Sequence, residues 1–140
     1  MPEIDVVWLS YNLWDVDSDN DLDLLLTYKD PMDLPQTIYY RNAGYFYLDD
    51  LGLPDLMGGS TSVADLNNDG RQDIIICGQD ASEIPWTYIY QNTPTGFTMV
   101  NDDLYGLYGQ IVTADYDNDM DIDILLTGND RYGNSNTINS

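Results

Sequence analysis

The sequence predicts an all-β fold assembled from a tandem repeat, and three observations predict it. Aspartate-rich clusters begin at residues 15, 65 and 115, a spacing of 50 both times. Each cluster runs directly into a short apolar segment rich in Ile and Leu. No segment carries a 3.6-residue apolar period over three turns, so helices are not expected.

The elements follow in order. Residues 1–9 hold a β-prone segment, Glu3 to Leu9, ahead of the first cluster. Repeat 1 covers 10–59, repeat 2 covers 60–109, and a shortened repeat 3 covers 110–140. After each cluster comes a strand: Leu24-Leu25-Leu26-Thr27, Ile74-Ile75-Ile76-Cys77 and Ile124-Leu125-Leu126-Thr127. Thr37-Ile38-Tyr39-Tyr40 and Thr87-Tyr88-Ile89-Tyr90 are β-branched and aromatic, which suits a pleated, half-buried surface. Thr137 falls in register with Thr37 and Thr87. Tyr45 to Leu48 and Phe97 to Val100 give a further strand each, and Ser60 to Ala64 gives the one before the second cluster. About four short strands per 50 residues is the size of a β-propeller blade. Such a blade must stack on neighbours to bury both faces. Repeat 3 lacks its last strand.

Composition excludes several function classes. The 140 residues carry 25 acids against 4 bases and a net charge of −21. That balance excludes binding along a phosphate backbone and disfavours anionic membranes. No apolar run is long enough to span a bilayer, so membrane insertion is not expected. Without histidine there is no Ser-His or Cys-His nucleophile and no histidine metal ligand. The single cysteine, Cys77, sits in an apolar strand and reads as a small buried hydrophobe.

The acids themselves are unequal: all but Glu3 and Glu83 are aspartates. Asp is a turn residue that presents its carboxylate close to the backbone. The clusters share the pattern D-x-[DN]-x-D-x-x-x-D. The first is Asp15, Asp17, Asp19 and Asp23; the second Asp65, Asn67, Asp69 and Asp73; the third Asp115, Asp117, Asp119 and Asp123. Oxygen donors at positions 1, 3, 5 and 9 of a tight loop converge, and unneutralised they would repel one another. Hard oxygen donors in that number suit Ca²⁺ better than Mg²⁺ or Zn²⁺. Position 7 (Asp21, Arg71, Asp121) is expected to add a backbone carbonyl. An EF-hand is excluded, because its acidic position 12 is Leu26, Ile76 and Leu126 here. At position 6 stand Asn20, Gly70 and Met120. A left-handed turn there would suit Gly, tolerate Asn and strain Met.

At these residues, Trp14-Asp15 through Thr27, Ala64-Asp65 through Gly78 and Ala114-Asp115 through Gly128, the chain resembles the FG-GAP/VCBS repeat family. These are calcium-loop propeller blades of integrin α-subunits and many bacterial secreted proteins. The resemblance implies that each loop joins the first and second strands of a blade and binds Ca²⁺. It places that role on the twelve residues just named, about three sites in all. Asn20 and Met120 depart from the family's usual glycine.

The reading that follows is a calcium-stabilised extracellular or cell-surface propeller module with a structural or adhesive role. Its expected partners are other copies of itself or the rest of a longer propeller. Exchange of residues 3–9 between copies would give a ring or filament. The alternative is a glycan- or protein-binding module, with Tyr105, Tyr108 and Tyr132 in Gly-rich loops as platforms. An enzyme is not expected, since the aspartates have a better assignment as ligands. Most aromatics are expected between blades.

Overall fold

The computed structural model describes residues 7–100 and 104–139, and they form three antiparallel sheets. The first sheet is β1 (Val7–Trp14), β2 (Asp23–Lys29), β3 (Pro35–Asn42) and β4 (Phe46–Asp49), in that spatial order. The second repeats it with β5 (Thr61–Ala64), β6 (Asp73–Gln79), β7 (Pro85–Thr93) and β8 (Gly96–Val100). The third holds β9 (Tyr108–Ala114), β10 (Asp123–Asn129) and β11 (Ser135–Asn139). Each sheet is an up-and-down meander, so every connection inside it is a short turn or one aspartate loop.

Strand β6 sits at the centre of the molecule and is buried on both sides, because the pleat sends successive residues to opposite faces. Ile74 and Ile76 pack toward the first sheet with Trp14, Leu25, Tyr39, Leu56 and Tyr90. Ile75 and Cys77 pack toward the third with Leu107, Ile111, Ile124 and Leu126. The run Ile74 to Cys77 is therefore apolar without alternation, as a two-sided strand requires. Cys77 is almost fully buried, with Sγ 3.8 Å from Ser60 Oγ and 3.7 Å from Gly109 O, and burial pushes its thiol pKa up.

The two interfaces share a topology and differ in chemistry. Trp14 and Tyr39 make the first aromatic, with ring centroids 6.2 Å apart. The equivalent positions in the second sheet are Ala64 and Ile89, and that interface is aliphatic. The expectation that aromatics fill the space between blades therefore holds for Trp14, Tyr39 and Tyr90, whereas Tyr11, Tyr45 and Tyr132 are exposed. Polar pairs add register between sheets. Asn12 Nδ2 donates to Thr61 O, and the Ser62 and Thr113 hydroxyls lie 2.9 Å apart.

The in-register threonines gain a role. Thr37 Oγ1 accepts from the N–H of Leu56 at 3.2 Å, and Thr87 Oγ1 from that of Leu107 at 3.3 Å. Both leucines lie in the chain leading to the next sheet and are fully buried between sheets. The expected donor strand lies partly outside the described residues. Its described portion begins β1, where Val7 pairs with Lys29 of its own sheet. Tyr108, expected in a loop, opens β9. Its neighbour Gly109 belongs to the strand and not to a turn. A Cβ on Gly109 would lie 2.1 Å from Thr127 O, so close strand approach, not a turn, requires glycine there.

Replacing Ile74 or Ile75 with Ala tests the two-sided burial. Each is expected to cost about 3 kcal/mol in urea unfolding. A near-zero cost for either would show that its face is open.

Candidate metal sites

The three aspartate loops, 15–22, 65–72 and 115–122, each join the first strand of a sheet to the second. Their fold is written by carboxylate acceptors. The position-1 aspartate accepts two backbone N–H groups across the loop. Asp15 takes those of Asp19 and Asn20, at 3.0 and 2.9 Å. Asp65 takes those of Asp69 and Gly70, at 3.0 and 2.7 Å. Asp115 takes those of Asp119 and Met120, at 3.2 and 3.0 Å. The position-5 aspartates (Asp19, Asp69, Asp119) each accept from the N–H two residues on, at 2.9 Å in all three loops.

Position 6 is left-handed in every loop, with φ of 72° at Asn20, 84° at Gly70 and 75° at Met120. This is the turn for which Met is poorly suited. Position 4 is left-handed too, at Ser18, Asn68 and Asn118. Nothing in the residue type of Ser18 announces that.

Position 9 does something the spacing does not disclose. Asp23 is fully buried and accepts from the N–H of Val16 at 3.0 Å and of Asn42 at 2.7 Å. Asp73 does the same with Leu66 and Asn92, at 3.0 and 2.8 Å. These carboxylates tie the loop to the third strand of the sheet. Desolvation raises the Asp73 pKa, with the Asn92 and Leu66 N–H groups opposing it. Asp123 accepts from Tyr116 N at 3.2 Å and is only half-buried.

The converging carboxylate sets differ accordingly. In the first loop Asp15, Asp17 and Asp19 bring carboxylate oxygens within 4.8 Å of one another, while in the third Asp115, Asp117 and Asp123 do so. Asp23 is not part of the first group. Asp17 and Asp117 have raised pKa values, first from desolvation and then from the neighbouring Asp19 and Asp119. Arg41 Nη1 lies 3.4 Å from Asp17 and offsets part of this. The second loop carries its own cation. Arg71 pairs with Asp69 and also donates to Asn92 O, and Asn67 Nδ2 donates to Asp69. Asp69 accordingly lies below its ordinary value, led by the Arg71 N–H. Of the position-7 residues, Asp121 accepts from Asn68 Nδ2 at 2.7 Å and links loop three to loop two. Asp21 is exposed and its N–H is the donor to Asp19. The donors are all oxygen, and Ca²⁺ accepts such a set in flexible geometry.

A second aspartate series, outside the loop pattern, keeps the same register: Asp30, Asp80 and Asp130. Each opens the turn between the second and third strands of its sheet. Their Oδ1 atoms accept from Met32 and Leu34, from Ser82 and Ile84, and from Tyr132 and Asn134. The turn then passes a left-handed residue, Asp33, Glu83 or Gly133. Part of the aspartate surplus is thus turn-bracing. For Asp80, desolvation raises the pKa, but the Trp86 indole and the Ile84 and Ser82 N–H groups outweigh it, and the net shift is down. Of the tyrosines expected as platforms, Tyr105 donates to Asp130 at 3.4 Å, and Tyr132 lies under the Arg131 guanidinium.

Residues 65–126 match the sequence model of the FG-GAP-like repeat, the family whose loop motif the three clusters resemble. No curated protein matches the chain.

Two changes test the loop geometry. Met120→Gly relieves a left-handed methionine whose side chain is exposed, and is expected to stabilise by about 0.5–1 kcal/mol after the added unfolded-state entropy. Gly70→Ala is expected to destabilise by about 1 kcal/mol. Thermal unfolding in the presence of a chelator reads both, and equal signs would contradict the turn assignment. The Asp80 carboxylate has a depressed folded pKa, so its contribution is complete above about pH 4 and is lost as pH falls through the folded value. Asp80→Asn is expected to flatten the acid limb of the pH–Tm curve. An unchanged limb would remove Asp80 as a contributor.

Proposed function

We propose that the chain is a calcium-stabilised repeat module of the extracellular space or cell surface with a structural or adhesive role. It works in contact with further blades, from other copies or from a longer propeller. The observation that carries this is the convergence of three carboxylates in each of the first and third loops. Asp15, Asp17 and Asp19 would hold one ion, and Asp115, Asp117 and Asp123 another. Asp65, Asn67 and Asp69 would form a weaker third, because Arg71 already neutralises Asp69. Bound Ca²⁺ supplies neutralising charge and fixes the loop; it is not needed for any reaction. The role proposed is non-catalytic, and the hydrogen bonds that occupy many of the aspartates as loop closers and turn braces support it. Cation binding to the folded state alone adds RT ln(1 + [L]/Kd) to stability. Extracellular modules commonly bind at 10⁻⁴–10⁻³ M.

One observation favours a second reading, recognition of a glycan or protein. Trp86 is partly exposed and stacks on Tyr88, with centroids 5.8 Å apart and planes 14° from parallel. It borders a groove of about 220 Å³ shared with Tyr105 and Arg131. A flat aromatic beside polar groups is what a sugar face packs against.

Calcium at about a hundredfold over Kd is expected to add about 2.7 kcal/mol per site over the chelated protein. Calorimetric titration of Asp15→Ala, Asp65→Ala and Asp115→Ala is expected to show unequal losses, smallest for Asp65→Ala. A Tm indifferent to calcium would refute the reading.

A further inference from the structure

The two end sheets present faces with no partner among the described residues, and the repeat register relates those faces to the interfaces already formed. In β10, Ile124 and Leu126 point back toward the second sheet and are buried. Their counterparts in β2 are Leu24 and Leu26, in register at a spacing of 100 across two repeats. Pairing places Leu24 beside Leu13 and Tyr40, and Leu26 beside Tyr11 and Ile38, on one face of the first sheet. Trp14 and Asn12 point the other way, toward the second sheet. The outward face therefore carries Tyr11 and Leu13, 64% and 51% exposed, over half-buried Leu24 and Leu26.

At the opposite end, β10 pairs with β9 so that Leu125 lies beside Val112 and Asp123 beside Ala114. Leu125 and Val112 are 39% and 56% exposed, although Ile75, the counterpart of Leu125, is fully buried against the third sheet. A largely apolar groove of about 180 Å³ runs along this face, lined by Val112, Ala114 and Leu125 with Tyr116 and Asp123 at the loop. Ala114 stands where the first sheet has Trp14, so the groove is the space which a large side chain fills at the first interface.

We infer that the outward face of the third sheet docks on the outward face of the first sheet of a second copy of this chain, head to tail. The contact continues the stacking already made twice within the chain. The two faces also complement each other in size. Tyr11 and Leu13 replace the smaller Ile111 and Thr113 of the third sheet on one side, and Ala114 replaces Trp14 on the other. The contact is heterologous, so it closes into a ring if the rotation permits and otherwise grows. Strand exchange is not required, since the described part of the 3–9 segment is already paired within its own sheet. The inference rests on the reading that the chain works among further blades, and not on cation binding.

The test is analytical ultracentrifugation of the whole chain from 1 to 100 μM in calcium at physiological salt, where screening limits repulsion between acidic copies. The wild type is expected to exceed the 15.9 kDa monomer mass as concentration rises. Leu13→Asp on one face and Leu125→Asp on the other are each expected to stay monomeric. Mixed in equal amounts, they are expected to give a complex of two chains that grows no further, because one intact face of each kind survives. A monomeric wild type at 100 μM would overturn the inference. So would association that persists in either variant, or a mixture that stays monomeric while the wild type associates. Both substitutions are at exposed positions, and the wild-type result alone can refute the inference should a variant misfold. A calcium-dependent Tm in a monomeric wild type would sink this contact and leave the calcium reading intact.

Discussion

The structure depends on backbone N–H groups finding carboxylates at the bend between first and second strands. Asp23 and Asp73 are buried, yet each accepts two N–H groups, one from the loop and one from the third strand. A buried charge is tolerable only when it is hydrogen-bonded in this way. Those bonds fix the loop against the sheet. Asp15, Asp65 and Asp115 then close the loop on itself, each accepting two N–H groups. In the first and third loops the closing aspartate also converges with two further carboxylates, Asp17 and Asp19 or Asp117 and Asp123, a set that could hold a cation.

The same loops serve the stacking of sheets. Cross-links such as Asn68 to Asp121 join one loop to the next, while the strands they connect bury Ile74 to Cys77 from both sides. A sheet with two apolar faces is stable only between neighbours. This single requirement explains the uninterrupted apolar run of β6, the buried Leu56 and Leu107 clamped by Thr37 and Thr87, and the apolar end faces.

Much of this was legible in the residues. The 50-residue period fixed the number of units, and the apolar runs marked the second strands. Gly70 and, less strongly, Asn20 pointed to the left-handed turn at position 6, and Met120 adopts it against its own preference. What escaped has physical reasons. Asp30, Asp80 and Asp130 kept the period, but single turn acids look alike whether or not they brace a hairpin. Asp23 as a structural acceptor, not a converging donor, depends on Asn42, 19 residues away, which local spacing does not reveal. Gly109 resembled a loop residue because close strand approach and a turn both call for glycine. The exchange of Trp14 for Ala64 between interfaces is a matter of long-range volume, on which a repeat pattern is silent.

The central claim is that loop closure creates oxygen sites for calcium. The most direct measurement is long-wavelength anomalous scattering from crystals grown with calcium. The account predicts peaks at Asp15, Asp17 and Asp19 and at Asp115, Asp117 and Asp123, with oxygen distances of about 2.3–2.6 Å. Ions found only elsewhere, or loops that keep their carboxylates converged with no peak at millimolar calcium, would contradict it.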